Sequence, residues 1–212
     1  LGGETAEMPD VYAPGEFDMA GFAVGVVELK RAMDPLRIQP GDVVLGLASD
    51  GLHSNGFSLV RKIVSSRRLD LRKTYKDLDA DRPLGEVLLT PTRLYARPVV
   101  RLQRAYRVKK VISGMAHITG GGLAQNIERV LNPAVDAVID GSSWPVPPVV
   151  DFLAKRGRVA PDEMDRVFNM GVGYVLIVRP AFADAVRRRL ERLGETVHVL
   201  GEIRKGSGRV RV

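Results

Sequence analysis

Continuous apolar runs alternate along this chain with segments whose apolar residues recur every three or four positions, so strands and helices succeed one another. Val43–Ala48 is an apolar run of strand length and predicts a buried strand. Beyond Gly56, residues Phe57, Val60 and Val64 fall on one helical face. Residues 17–27 form a further apolar strand candidate, in which Gly21 and Gly25 allow close packing or a bulge. Residues 67–90 are polar and broken, the pattern of a short helix and loops. Thr90-Pro91-Thr92 predicts a helix start with proline in its first turn. That helix carries Leu94, Pro98 and Val99 toward Leu102, with a kink or break at Pro98.

Residues 108–112 predict a second strand, and Leu123, Ile127, Val130 and Leu131 share a face of the helix that follows. A strand over 134–139, a proline-rich connection over 142–148 and helices over 149–156 and 161–168 come next. A strand over 174–178 then precedes a final helix striped by Phe182, Val186, Leu190 and Leu193 and stopped by Gly194. Residues 197–203 close the pattern as a last strand. This alternation predicts a two-layer α/β domain of the α+β type. Turn residues at Met33-Asp34-Pro35 and Gln39-Pro40-Gly41-Asp42 place a boundary near residue 34, separating 1–34 from 35–212.

With 45% hydrophobic residues in 212, the chain has enough apolar sequence for a core. It contains no cysteine, which removes disulfides, thiolate nucleophiles and zinc–thiolate sites. No apolar run approaches the ~20 residues of a membrane helix, and no signal peptide is visible. The expectation is a soluble, cytoplasmic chain without a membrane partner. The net charge of +7 raises nucleic-acid binding. Yet the basic residues fall in short scattered runs, such as Arg67-Arg68, Lys109-Lys110 and Arg187-Arg188-Arg189, without interleaved aromatics. That placement disfavours nucleic acid and leaves anionic small molecules in view.

Three segments carry candidate chemistry. At the start, Gly2 and Gly3 precede Glu4 and Glu7, a set suited to metal-bound phosphate because carboxylates are the ligands Mg²⁺ prefers. No preceding element supports that segment, so the chain is expected to begin inside a larger protein. The other two echo each other: strand, His53-Ser54-Asn55-Gly56, helix; and strand, His117-Ile118-Thr119-Gly120-Gly121-Gly122, helix. Each sets an imidazole, a hydroxyl and flexible backbone before a helix N-terminus, where free N–H groups favour anions. Taken singly, each is equally a turn with Ser54 or Thr119 as an ordinary cap. Together they hold two of the three histidines, which favours a site. Neither is a Walker loop or a dinucleotide fingerprint. His198 reads as a strand residue and Trp144 as a packed surface aromatic, while residues 169–173 are equally a ligand loop or a packing turn.

The opening Gly2–Pro9 segment with Tyr12 resembles the aminoimidazole ribonucleotide synthetase family, also called phosphoribosylformylglycinamidine cyclo-ligase or PurM. So do residues 18–27, 51–61 (GLHSNGFSLVR), 90–95 (TPTRLY), 116–122 (AHITGGG), 126–131 (NIERVL) and 168–174 (FNMGVGY), in the family's order. The resemblance implies a mixed β-sheet flanked by helices over 35–212. It also implies residual strands over 1–34, belonging to an ATP-binding N-terminal domain that is largely missing here. The implied activity is ATP-dependent closure of formylglycinamidine ribonucleotide to aminoimidazole ribonucleotide, with Mg²⁺, in a homodimer.

Its implied roles are residue-specific. Glu4 and Glu7 hold Mg²⁺ or position the amidine. His53, Ser54, Asn55 and Gly56, with Thr119, Gly120, Gly121 and Gly122, bind substrate phosphate and ribose. Either His53 or His117 assists proton transfer. The competing readings are another ATP-using member of the superfamily, such as the synthetase part of formylglycinamidine ribonucleotide amidotransferase, and a non-catalytic anion-binding module.

Overall fold

The computed structural model describes residues 2–106 and 108–212. Leu1, which opens the glycine–carboxylate segment, lies outside them. The chain's contacts divide it into two compact units, Leu1–Ala32 and Met33–Val212. In the first, turns at Met8–Val11 and Ala13–Glu16 and a 3₁₀ turn at Leu29–Arg31 are the only regular features among the described residues. The apolar run over 17–27 is not a strand: Phe22 is 94% exposed and Val26 100%. Apolar sequence does not make a strand without a neighbour to take its N–H and C=O groups, and no described residue pairs with this segment. The residual strands expected over 1–34 are therefore absent among the described residues.

The second unit is built on a six-stranded mixed sheet. Its strands are β1 (Val43–Ala48), β4 (Ile112–His117), β5 (Val135–Ile139), β6 (Val172–Val178), β7 (Val197–Lys205) and β8 (Val210–Arg211). They lie in the order β4-β6-β1-β7-β5-β8, and every pair is antiparallel except β5 with β8. Central β1 reads as unbroken apolar sequence because both faces are covered. Val44 packs into a cluster with Val175, Ile177, Leu123 and Ile127, whereas Leu45 and Leu47 join Leu176, Val99, Leu102, Val186 and Leu190. The first cluster includes α4 (Gly122–Glu128), and the second α3 (Ala96–Ala105) and α7 (Ala183–Glu191). A third cluster joins α1 (Phe57–Ser66), α2 (Leu84–Leu88), α5 (Pro148–Gly157) and α6 (Pro161–Val167) around Phe152 and Phe168.

Three expectations are corrected in this unit. Residues 67–90 hold the expected short helix, α2, but also a two-stranded hairpin before it, β2 (Thr74–Tyr75) and β3 (Asp79–Pro83). The helix expected from Thr90 begins at Ala96: the Thr90 hydroxyl donates to Val87 O and finishes α2, and Pro91 disfavours helical backbone at Thr90. Pro98 then falls in the first turn of α3, where no N–H is required, and Leu94 is 83% exposed. The strand expected at 108–112 lies at Ile112–His117, leaving Val108 94% exposed. Lys109 and Lys110 stay at the surface, and Gly114 lets Ile38 and Ile177 pack close against the strand instead.

Candidate functional site

β1 delivers the chain into the first histidine junction. That loop is braced by the turn after α6: Asn169 donates through Nδ2 to Gly51 O (2.9 Å), and its Oδ1 accepts from the Ser49 hydroxyl (3.1 Å) and Gly171 N–H (2.9 Å). Residues 169–173 thus act as a packing turn. His53 takes up left-handed backbone (φ 58°) and is 4% exposed. Its Nε2 accepts from the N–H groups of Asp50 (3.3 Å) and Arg93 (3.4 Å), while Nδ1 is buried without a partner. Burial pulls its pKa below the ordinary histidine value; Asp50 opposes this, and His117 and Arg93 add to the lowering.

β4 delivers the second junction. Buried Asn126 on α4 organises it, donating to the carbonyls of Thr119 (3.2 Å), Gly120 (3.3 Å) and Gly122 (2.7 Å). Its Oδ1 accepts from the Thr119 hydroxyl (3.2 Å) and Arg129 (2.9 Å). With those carbonyls engaged, the glycine backbone turns through left-handed conformations at Gly121 (φ 98°) and Gly122 (φ 66°).

The two junctions meet. Asn55 Oδ1 accepts the Gly120 N–H at 3.0 Å. Ser54 and Thr119 are not helix caps: the Ser54 hydroxyl pairs with Thr92 Oγ1 (3.0 Å), and the N-cap positions of α1 and α4 are Gly56 and Gly121, without a side-chain cap. The first-turn amides of α1 are thus left to whatever acceptor approaches. Ser54 and Gly120 are exposed, Asn55, Gly56, Thr119 and Gly121 are half-buried, and Gly122 is buried.

The histidines share an aromatic cluster. Tyr95 lies between them, its ring centroid 6.1 Å from both His53 and His117, and Tyr174 packs 5.4 Å from Tyr95 and 6.1 Å from His117. The Tyr95 hydroxyl donates to Ala48 O (2.7 Å), and burial raises its pKa. Gly173 admits this packing, since a Cβ there would strike both Tyr95 and His53. His53 lies at the buried end of the cluster and His117 at its exposed end. Arg93 binds the outer rim through Glu195 (2.9 Å), Asp50 (2.7 Å) and Gly194 O (2.7 Å).

Tyr95, Arg93, Asn126, Asn169 and Gly173 are absent from the sequence-derived site. All five lie in segments that carry the family resemblance, 90–95, 126–131 and 168–174, which was the available signal. Glu4 and Glu7 are exposed in the Leu1–Ala32 unit, with Glu4 accepting from its neighbour's N–H, Thr5 (3.0 Å). Among the described residues no three His, Cys, Asp or Glu side chains converge as metal ligands. Trp144 is not at the surface: it is 8% exposed and donates to Met170 O (2.9 Å). His198 is half-buried in β7. No helix among the described residues is long and apolar enough to cross a membrane.

The family model described as AIR synthase related protein, C-terminal domain, matches residues 39–212. The chain belongs to this family. It is 51% identical over 208 residues to the phosphoribosylformylglycinamidine cyclo-ligase of Paraburkholderia phymatum, covering 97% of this chain and 56% of that protein. To the same-named protein of Geobacillus kaustophilus it is 50% identical over 209 residues, covering 98% and 59%. To that of Aromatoleum aromaticum it is 53% identical over 206 residues, covering 96% and 57%. The chain therefore spans a little over half the length of these relatives. Two solved structures share the fold. Hydrogenase maturation protein HypE in complex with ATP has a TM-score of 0.57 at 18% identity, covering 87% of this chain and 50% of that one. Thiamine-monophosphate kinase from Stenotrophomonas maltophilia has 0.54 at 18% identity, covering 88% and 54%.

Proposed function

We propose that this chain is the C-terminal part of a cytoplasmic, homodimeric phosphoribosylformylglycinamidine cyclo-ligase and forms the substrate side of its cleft. The observation that carries the reading is the Asn55–Gly120 hydrogen bond, which joins two glycine-bordered histidine junctions into one surface. The uncapped amides of α1 serve the phosphate and ribose of formylglycinamidine ribonucleotide, beside a glycine turn whose Gly120 and Gly122 N–H groups are held by Asn55 Oδ1 and Thr119 O. Ser54 and Thr119 offer hydroxyls beside them. His53 and His117 approach from the aromatic cluster, His117 with an exposed ring able to exchange a proton with the closing amidine. ATP, when bound, supplies the phosphoryl group that activates the formyl oxygen. The described residues do not assemble a site for its Mg²⁺, so Glu4 and Glu7 are given no step.

The test uses the full-length enzyme in a coupled ADP assay. His53→Ala is expected to lower kcat/KM for formylglycinamidine ribonucleotide by about a hundredfold, the scale of losing one oriented donor, with the circular dichroism spectrum retained. An unchanged rate removes His53 from the site. Turnover instead of the glutamine-dependent precursor would assign the chain to the amidotransferase.

A further inference from the structure

We propose that His53 is held as the neutral imidazole with its hydrogen on Nδ1, and that Arg93 is the positioning residue that holds it so. Nε2 faces two N–H donors, those of Asp50 and Arg93. A ring nitrogen accepting from N–H groups carries no hydrogen of its own, so the hydrogen of the neutral ring lies on Nδ1. Nδ1 is also the buried atom without a partner. A hydrogen there is left without an acceptor among its protein neighbours.

The side chain of Arg93 fixes its own backbone amide. The guanidinium spans Glu195 Oε2, Asp50 Oδ1 and Gly194 O, so residue 93 is tied both to the loop carrying His53 and to the segment following α7. Asp50 takes part twice, its carboxylate on Arg93 and its N–H on His53 Nε2. Breaking the fork frees both amides that define the tautomer. A second proton on His53 would have to displace them, and the charged neighbours do not offset that. Asp50 favours the cation, whereas Arg93 and His117 oppose it. The remaining facing groups are the Tyr95 ring and, through Arg93, Glu195.

Within the cyclo-ligase reading, on which this last step rests, His53 takes no proton from the substrate. Proton acceptance falls to His117, which shares the aromatic cluster but has an exposed ring.

The test is ¹⁵N NMR of the histidine-labelled 212-residue chain without substrate, reading the tautomer from imidazole nitrogen–proton correlations over about pH 5 to 8. His53 is expected to show hydrogen on Nδ1 and a midpoint below the ordinary ~6.5. Arg93→Ala and Arg93→Lys, the latter keeping charge without the fork, are expected to mix the tautomers and raise the midpoint. Glu195→Gln, a near-isosteric change, should do the same to a smaller extent and covers the case in which Arg93→Ala does not fold. Hydrogen on Nε2 in the unaltered chain overturns the proposal. An unaltered tautomer in Arg93→Lys and Glu195→Gln overturns the role of Arg93. Because no substrate is present, a failed cyclo-ligase assay with the Nδ1 tautomer intact counts against the cyclo-ligase reading alone.

Discussion

Gly122 has no room for a side chain, whereas Gly120, two residues before it, does. At Gly122 the backbone is left-handed (φ 66°), and a Cβ would run into the backbone carbonyl of Asp165, which cannot swing away. At Gly120 the nearest atom to an added Cβ is Asn55 Oδ1, at 3.8 Å. Gly122→Ala is therefore expected to cost about 3 kcal/mol or more in urea unfolding, and Gly120→Ala to stay within about 0.5 kcal/mol. Equal losses at both positions would contradict this geometry. Three successive glycines were legible as a turn capable of approaching an anion, but not which of them lacks space, since that depends on α6, more than forty residues away. The same holds for Asn126. As a sequence residue it is one polar position in an amphipathic helix, and only the fold shows its amide gripping three carbonyls of the glycine turn.

At the level of elements, the strands and helices carried by dense apolar periodicity were legible: β1, α1, β5, α5, α6, β6, α7 and β7 lie within a few residues of their expected positions. What failed depends on partners. The apolar run over 17–27 finds no pairing strand among the described residues, and the start of α3 is set by the anchoring of Arg93 and the closing of α2. Terminal β8 was also missed, because two residues carry no period. A buried carboxylate holds it in place. Asp136 on β5 accepts from the N–H groups of Ser207 and Arg209 and from the Arg211 side chain, and these bonds lower its pKa to about 2. The native state therefore holds this carboxylate ionised more strongly than the unfolded chain, whose value is ~3.9. The resulting stability is full above about pH 4 and is lost as the pH falls to about 2. Asp136→Asn is expected to flatten the acid limb of the stability curve in that window, measured by urea unfolding at stepped pH. An unchanged slope would show that the clasp does not report on folding.

On the scale of the whole molecule, the question under the proposed cyclo-ligase reading is how much of a phosphoryl-driven ring closure this chain would carry. That chemistry needs a polyphosphate held in line with the formyl oxygen and cations to offset its charge. Among the described residues no triad of metal-binding side chains exists, and the chain spans 56% to 59% of the length of the relatives from Paraburkholderia phymatum and Geobacillus kaustophilus. On the proposed reading its share is an anion site, argued from uncapped α1 amides, a glycine turn joined to their loop through Asn55, and a net charge of +7. Several arginines are already committed to carboxylates, Arg179 to buried Asp42 and Arg93 to Glu195 among them. In that proposal, attraction for a phosphate rests on the site's own donors as well as on the overall field. The 212-residue chain, given ATP, Mg²⁺ and formylglycinamidine ribonucleotide, is expected to release no ADP in the coupled assay that registers full-length enzyme. Calorimetry on the same chain should detect the ribonucleotide, with affinity falling as salt screens the phosphate, and should detect no ATP. ADP release would show that the chain holds the phosphoryl-transfer machinery after all, and absence of ribonucleotide binding would reduce the paired junctions to a structural feature.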